Sequence, residues 1–272
     1  MRSSRSRLIT GMFDGWSVAA VIATFIPLVF FERWIHQHIQ GVALLATRHE
    51  DAAVLLYALP LLPGVMLHEF SHWLMAKLLG VKTAGMTLWP QRQRDGHIRL
   101  GSLAIHQTDV VRASLVGAAP LISGSLVVLA LGQRVFGVGA LGDALLSGDV
   151  GAIASSLLTA LGTPDMWVWL YFVFATANAM LPSPSDRQTW PPVILFLAVV
   201  VAAAYVLGFS GVLLELAPFV VSALRWLAVA FALTLVADVP FIIVIALAER
   251  MLSAASGQKV YYKRVDKKRL RK

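Results

Sequence analysis

The stretch "LPGVMLHEFSHWLMAKLLG", Leu62 to Gly80, decides the reading of this chain. It is apolar enough to enter lipid, yet two histidines and a glutamate interrupt it. Each ionisable side chain inside an apolar span costs about 3 kcal/mol, so such residues pair with one another or serve chemistry. His68 and His72 stand four apart, so a helix puts both on one face, where they can ligate one ion. Glu69 sits beside the first histidine, placed to take a proton from a water that such an ion activates. This HExxH arrangement suits zinc, because neutral imidazoles bind it and an open position remains for chemistry. The plainer alternative is that the three residues satisfy one another in a bundle interior or form a proton relay. Pro60, Pro63 and Gly64 just upstream either loosen the helix start and admit water or are the Pro and Gly usual in membrane helices.

Composition decides which solvent the chain folds in. Of 272 residues, 58% are hydrophobic and 14% charged, where soluble domains carry roughly 25% charged residues. There is no cysteine, which removes both a disulfide framework and any thiolate metal site. A transition metal must therefore be held by His and carboxylate. The net charge of +8 invites a nucleic-acid partner, but its distribution excludes that reading.

Apolar runs of bilayer length, about 20 residues each, predict an all-α polytopic membrane protein of about six transmembrane helices. The spans fall near Trp16–Phe31, Ala52–Leu79, Val110–Leu131, Met166–Leu181, Val193–Phe209 and Leu227–Ala248. The first is read as an anchor rather than a signal peptide. The apolar stretch Gly211–Trp226 carries Glu215 and Arg225 and reads as a re-entrant or interfacial helix. Lys and Arg set the orientation. Arg2, Arg5 and Arg7 precede span one, Lys82, Arg92, Arg94 and Arg99 follow span two, and the tail "GQKVYYKRVDKKRLRK" adds eight more. The alternate connections are acidic through Glu32, Glu50, Asp51, Asp143, Asp149 and Asp165. The pattern places the protein in the cell membrane, multi-pass, with both termini cytoplasmic. Trp16 and Trp34 bracket span one about 27 Å apart, as an aromatic belt does. The whole chain, 1–272, reads as one membrane-embedded domain with a basic tail over 250–272.

Two histidines need a third ligand. The segment "NAMLPSPSDR", Asn178 to Arg187, follows the fourth span, and Pro182 and Pro184 stop the helix there. Irregular backbone at membrane depth survives only where protein or water surrounds it. Asp186 lies on the same side as the HExxH, and a fold-back after Leu181 brings it to the depth of the histidines, roughly 13 Å below the membrane edge. Asp238, in "LVADVPFII", is the rival carboxylate, read chiefly as a polar contact beside Pro240.

These residues resemble the site-2 protease family of intramembrane zinc metalloproteases. That family pairs an HExxH helix with a later Asn-x-x-Pro-x-Pro-x-x-Asp-Gly segment whose Asp is the third zinc ligand. Asn178 and Asp186 keep the Asn-to-Asp spacing, while the prolines stand at Pro182 and Pro184, Arg187 replaces the Gly and Ser185 the usual Leu. The resemblance spans roughly residues 52–190, including the small-residue segment "SLVGAAPLISGSLVVLAL" with Gly117, Pro120, Ser123 and Gly124, which suits close backbone packing. It implies Zn2+ held by His68, His72 and Asp186, Glu69 as general base, and Asn178 as a hydrogen-bond donor to the oxyanion. A competing role for Asp186 is an ion pair with Arg187.

Between spans two and three, residues 81–106, "AGMTLW" and "HIRLGSLAI" flank the turn-rich "PQRQRDG", which reads as a β-hairpin turning at Asp95-Gly96. In the resembled family a membrane-associated hairpin here offers an edge to which an unwound substrate adds as a strand. His97 and His106 in this region read as polar surface. The outer connection Gln133–Asp165 includes an apolar stretch suited to the membrane surface.

The expectation is thus an enzyme that hydrolyses peptide bonds in or near transmembrane segments of membrane protein substrates, with the lipid bilayer as its other partner. Two other readings stand beside it: an ion- or proton-coupled transporter using the same His, Glu and Asp, and a zinc-bound homologue without proteolytic activity.

Overall fold

A computed structural model describes residues 15–92 and 98–262. Arg2, Arg5, Arg7, Arg94, the Asp95-Gly96 turn, His97 and the tail beyond Tyr262 lie outside the described residues. The chain is mostly helical. In order it forms α1 (Gly15–Thr47), α2 (Glu50–Ala58), a 3-10 turn (Leu59–Leu61), α3 (Leu62–Leu78), β1 (Thr83–Thr87), β2 (Gln91–Arg92), β3 (Ile98–Arg99) and β4 (Ser102–Ile105). Then come α4 (Val110–Arg134), α5 (Val138–Ser147), α6 (Val150–Leu161), α7 (Met166–Met180), α8 (Trp190–Val206) and α9 (Ser210–Ser256).

Among the described residues, four helical stretches are long and apolar enough to cross a membrane: α1, α2 running into α3, α4 and α9. A fifth arises if α6 and α7, which meet at 90°, count as one broken span. Large apolar side chains such as Phe30, Leu126, Phe219 and Val236 are exposed on them, as a lipid-facing surface requires. Several sequence boundaries are corrected. Helix α1 continues sixteen residues past Phe31 to Thr47. Gly211–Trp226 is not a re-entrant segment but the first part of α9, a continuous helix of 47 residues. Glu215 is exposed there, and a charge on the outer face does not stop a helix. Where a span is expected over Val193–Phe209, α8 is an apolar helix of 17 residues, Trp190–Val206.

The relative direction of the first and last helices also differs from six alternating spans, which makes them antiparallel. Arg225 Nε donates to Ser17 Oγ at 3.2 Å, Phe231 packs on Phe25 with ring centroids 5.7 Å apart, and Glu249 bonds His38. The contacts ascend together along both helices, so α1 and α9 run parallel, and Gly15 and Ser256 lie at opposite ends of the pair.

Local chemistry sets the turns that matter for the site. Pro60 and Pro63 cannot donate backbone hydrogen bonds, and around Pro60 the helix tightens into the 3-10 turn before Pro63 enters the first turn of α3. At the other end of α3, Gly80 adopts φ +69°, Val81 N–H donates to Ala76 O at 2.8 Å and Gly80 N–H to Lys77 O at 3.2 Å. This is a Schellman stop, completed by the contact of Val81 with Ala76. The chain then enters antiparallel β1 and β4, with Thr83 opposite Ile105 and Thr87 opposite Ser102, and a register shift between Thr83 and Gly85. Inside that pair, β2 and β3 align Gln91 with Arg99 and Arg92 with Ile98. Asp109 caps α4, its carboxylate accepting from Val111 N at 3.1 Å and Arg112 N at 2.9 Å. The bond to Arg112 holds that carboxyl below the usual carboxylate range.

Helices α3, α4 and α7 pack closely through small residues. Gly64 of α3 lies against the carbonyl of Ala175 and Cβ of Ala179, Gly124 of α4 against Met180, and Gly117 against the backbone of Asp186. A side chain at Gly64 or Gly117 would occupy the place of a neighbouring carbonyl, so only glycine allows this approach. One core cluster joins α1, α4, α7 and α9 through Leu28, Val128, Val173, Ala177 and Phe231. A second gathers Ile35, Tyr57, Leu61, Val65 and Phe174, with Ile98 and Leu100 of the β region packed onto it.

Candidate metal centre

His68 and His72 lie on consecutive turns of α3, as their spacing requires. Their ring orientation comes from two other helices. His68 Nδ1 donates to the carbonyl of Ala179 on α7 at 2.6 Å, and His72 Nδ1 donates to the carbonyl of Val116 on α4 at 2.7 Å. A carbonyl only accepts, so the proton of each neutral imidazole is assigned to Nδ1 and each Nε2 is left as a bare lone pair. The two Nε2 atoms face one another at 3.1 Å. Two lone pairs held at that distance repel unless a cation lies between them.

The carboxylate of Asp186 completes the group. Its Oδ1 is 3.4 Å from His72 Nε2 and its Oδ2 3.7 Å from His68 Nε2. One ligand atom from each of the three residues lies within 4.8 Å of the others. Ligand atoms at about 2.0–2.1 Å from a tetrahedral zinc are about 3.3 Å from one another. The observed separations bracket that value, and an N, N, O donor set is one that zinc accepts, so the residues present fit the ion.

A local turn aims Asp186. Pro182 ends α7, after which Ser183 N–H donates to Asp186 Oδ2 at 2.7 Å and Asp186 N–H donates back to Ser183 Oγ at 3.3 Å. The reciprocal pair has the logic of a capping box. It forms in spite of Ser185 and Arg187, the departures from the resembled pattern. Among the described residues no ion pair joins Arg187 to Asp186.

Glu69 is 5% exposed. Its Oε2 has no hydrogen-bond partner among the described residues. Gly101, just before β4, lies against it so closely that a Cβ there would stand 2.8 Å from Oε1. Arg99 Nε holds the same turn by donating to Gly101 O at 3.1 Å.

The other sequence candidates lie elsewhere. His106 is exposed at the end of β4. Asp238 is fully buried, but its Oδ1 accepts from Asn178 Nδ2 at 2.8 Å, and it is not among the grouped ligands. Asn178, expected as an oxyanion donor, directs its amide to Asp238 Oδ1 at 2.8 Å and to Phe174 O at 2.9 Å in this structure. Sequence reasoning missed the orienting carbonyls of Val116 and Ala179, which have no side-chain signature, and Ser183, whose Ser-x-x-Asp spacing was a usable signal. It also missed His36, which donates from Nε2 to Asn178 O at 3.1 Å and accepts at Nδ1 from Tyr57 OH at 2.7 Å.

No family model, curated protein or solved structure matches this chain.

Proposed function

We propose that this protein is an intramembrane zinc metalloprotease of the site-2 protease type, hydrolysing peptide bonds in or near transmembrane segments of membrane protein substrates. One observation carries the reading: two histidine lone pairs and a carboxylate converge on one point of an apolar bundle, with a buried, unpartnered glutamate on the adjacent residue. His68, His72 and Asp186 would hold the metal. Zinc, when bound, lowers the pKa of a water toward 7 and polarises a carbonyl. Glu69 takes the proton from the attacking water and delivers it to the leaving amine nitrogen. The Ala179 and Val116 carbonyls keep both histidines in the tautomer that ligates. Extended substrate adds to the edge of the β1–β4 sheet, and since Gly101 lies against Glu69, a strand laid beside β4 runs past the carboxylate.

The decisive experiment compares zinc content and cleavage of a transmembrane substrate across purified variants. Wild type is expected to hold about one zinc per chain, His68→Ala and Asp186→Ala little, and Glu69→Gln the full amount with no cleavage. A Glu69→Gln protein that still cleaves, or a wild type that holds no zinc after reconstitution, rejects the proposal.

A further inference from the structure

Five buried side-chain atoms lack a hydrogen-bond partner among the described residues. Two of them, Asn178 Oδ1 and Asp238 Oδ2, belong to side chains that are bonded to each other. Asn178 is 4% exposed and Asp238 0%. The orientation of the amide is not in question. An amide nitrogen has two hydrogens, and here both are placed, one on Phe174 O and one on Asp238 Oδ1. The remaining atom of Asn178 is an acceptor, and so is the remaining oxygen of Asp238 if that residue is ionised. Two buried acceptors on adjoining groups cannot satisfy one another. An ionised Asp238 would be a fully buried carboxylate with one hydrogen bond among the described residues. Such a charge is costly in an apolar interior.

A single proton resolves the account. Placed on Asp238 Oδ2, it donates to Asn178 Oδ1 while Asn178 Nδ2 donates to Asp238 Oδ1, a cyclic acid–amide pair with no orphaned atom. We propose that Asp238 is held as the neutral acid in this pair and acts as a positioning residue for the metal centre. Its leverage comes from place. Asn178 is in the last turn of α7, and three helices fix that turn through adjoining residues. From α9, Asp238 takes the Asn178 amide. From α1, His36 takes the Asn178 carbonyl. From α3, His68 takes the carbonyl of Ala179, the next residue. The Asp186 turn follows within two turns of chain. Loosening Asn178 shifts the carbonyl that sets the His68 tautomer.

The inference rests on the metal reading above, and two measurements on the full chain in detergent separate their failures. The first is zinc affinity against a competing chelator. Asp238→Asn keeps a donor opposite Asn178 Oδ1 and an acceptor opposite Nδ2, so its affinity stays within about threefold of wild type. Asp238→Leu removes both and weakens zinc about 10- to 100-fold, the usual effect of losing a group that orients a ligand. The second is difference infrared spectroscopy, in which wild type shows a protonated-carboxyl C=O stretch that Asp238→Asn lacks. Asp238→Asn is isosteric, so it decides the matter even if the leucine variant fails to fold. If Asp238→Asn loses zinc strongly, or the band is absent, the neutral-acid pair is overturned. If wild type binds zinc and Asp238→Leu binds it equally, the positioning role falls alone; if wild type binds none, it falls together with the metal reading.

Discussion

At the scale of the residue, what distinguishes this site from a buried polar cluster is where its protons are. His68 and His72 each commit Nδ1 to a backbone carbonyl, so neither has a hydrogen for the other and both aim Nε2 at one point. The HExxH spacing made the facing histidines legible, because four residues on a helix is a geometric statement. The carbonyls that orient them were not legible, since every residue has a carbonyl and only packing selects which one is used. Ser183 lies between these cases. Its hydroxyl accepts from Asp186 N–H, and removing it leaves Asp186 anchored by Ser183 N–H at its carboxylate and by the Ser183 carbonyl at its own N–H. Ser183→Ala is expected to weaken zinc about fivefold, the worth of one hydrogen bond of about 1 kcal/mol, with unchanged thermal stability. Chelator competition reads this directly, and an affinity equal to wild type would remove Ser183 from the site.

At the scale of the element, the site exists because α3, α4 and α7 approach one another through glycine. Gly64 sets the distance between α3 and the Ala175–Ala179 turn of α7, and so the reach of His68 to its carbonyl. Gly64→Ala gains about 1 kcal/mol in helix propensity but forces two backbones apart at a cost of about 1–3 kcal/mol. The net expectation is a lower melting temperature and weaker zinc together. Gly142→Ala in α5 is the control, since a Cβ there meets nothing within 4 Å, and it is expected to leave both unchanged or stabilise slightly. A Gly64→Ala protein with wild-type zinc affinity would show that the α3–α7 distance does not tune the site. Small residues in "SLVGAAPLISG" signalled close packing in the sequence, though not its partners. Helix boundaries were less legible. Hydropathy marks where lipid begins, not where a helix ends, so α1 continues to Thr47 past Glu32 and Arg33, and α9 runs through Glu215, Pro218 and Arg225 without a break.

At the scale of the whole molecule, the count of crossings determines which face each connection occupies. Helix α1 is about 50 Å long and α9 about 70 Å at 1.5 Å per residue, both longer than the roughly 30 Å hydrocarbon core. Counting Lys and Arg predicts six alternating spans because the basic tail draws the last helix back to the side of the N-terminus. Among the described residues, α9 packs along α1 in the same direction, and accessibility labelling decides between this arrangement and six alternating spans. Beyond Ser256 the chain folds back on α1, with Tyr262 OH donating to Glu249 Oε1 at 2.8 Å and its ring 4.4 Å from that of His38. The chain contains no cysteine, so single cysteines can be labelled without background. In sealed vesicles of one orientation, His49→Cys, between α1 and α2, and Ser256→Cys, at the end of α9, are expected to react with an impermeant maleimide from the same side. His106→Cys, between β4 and α4, is expected to react from the other, since α3 carries the chain back across. If Ser256→Cys instead labels together with His106→Cys, α9 crosses antiparallel to α1. The parallel pairing would then be wrong, and the six-span count with both termini on one face would be restored.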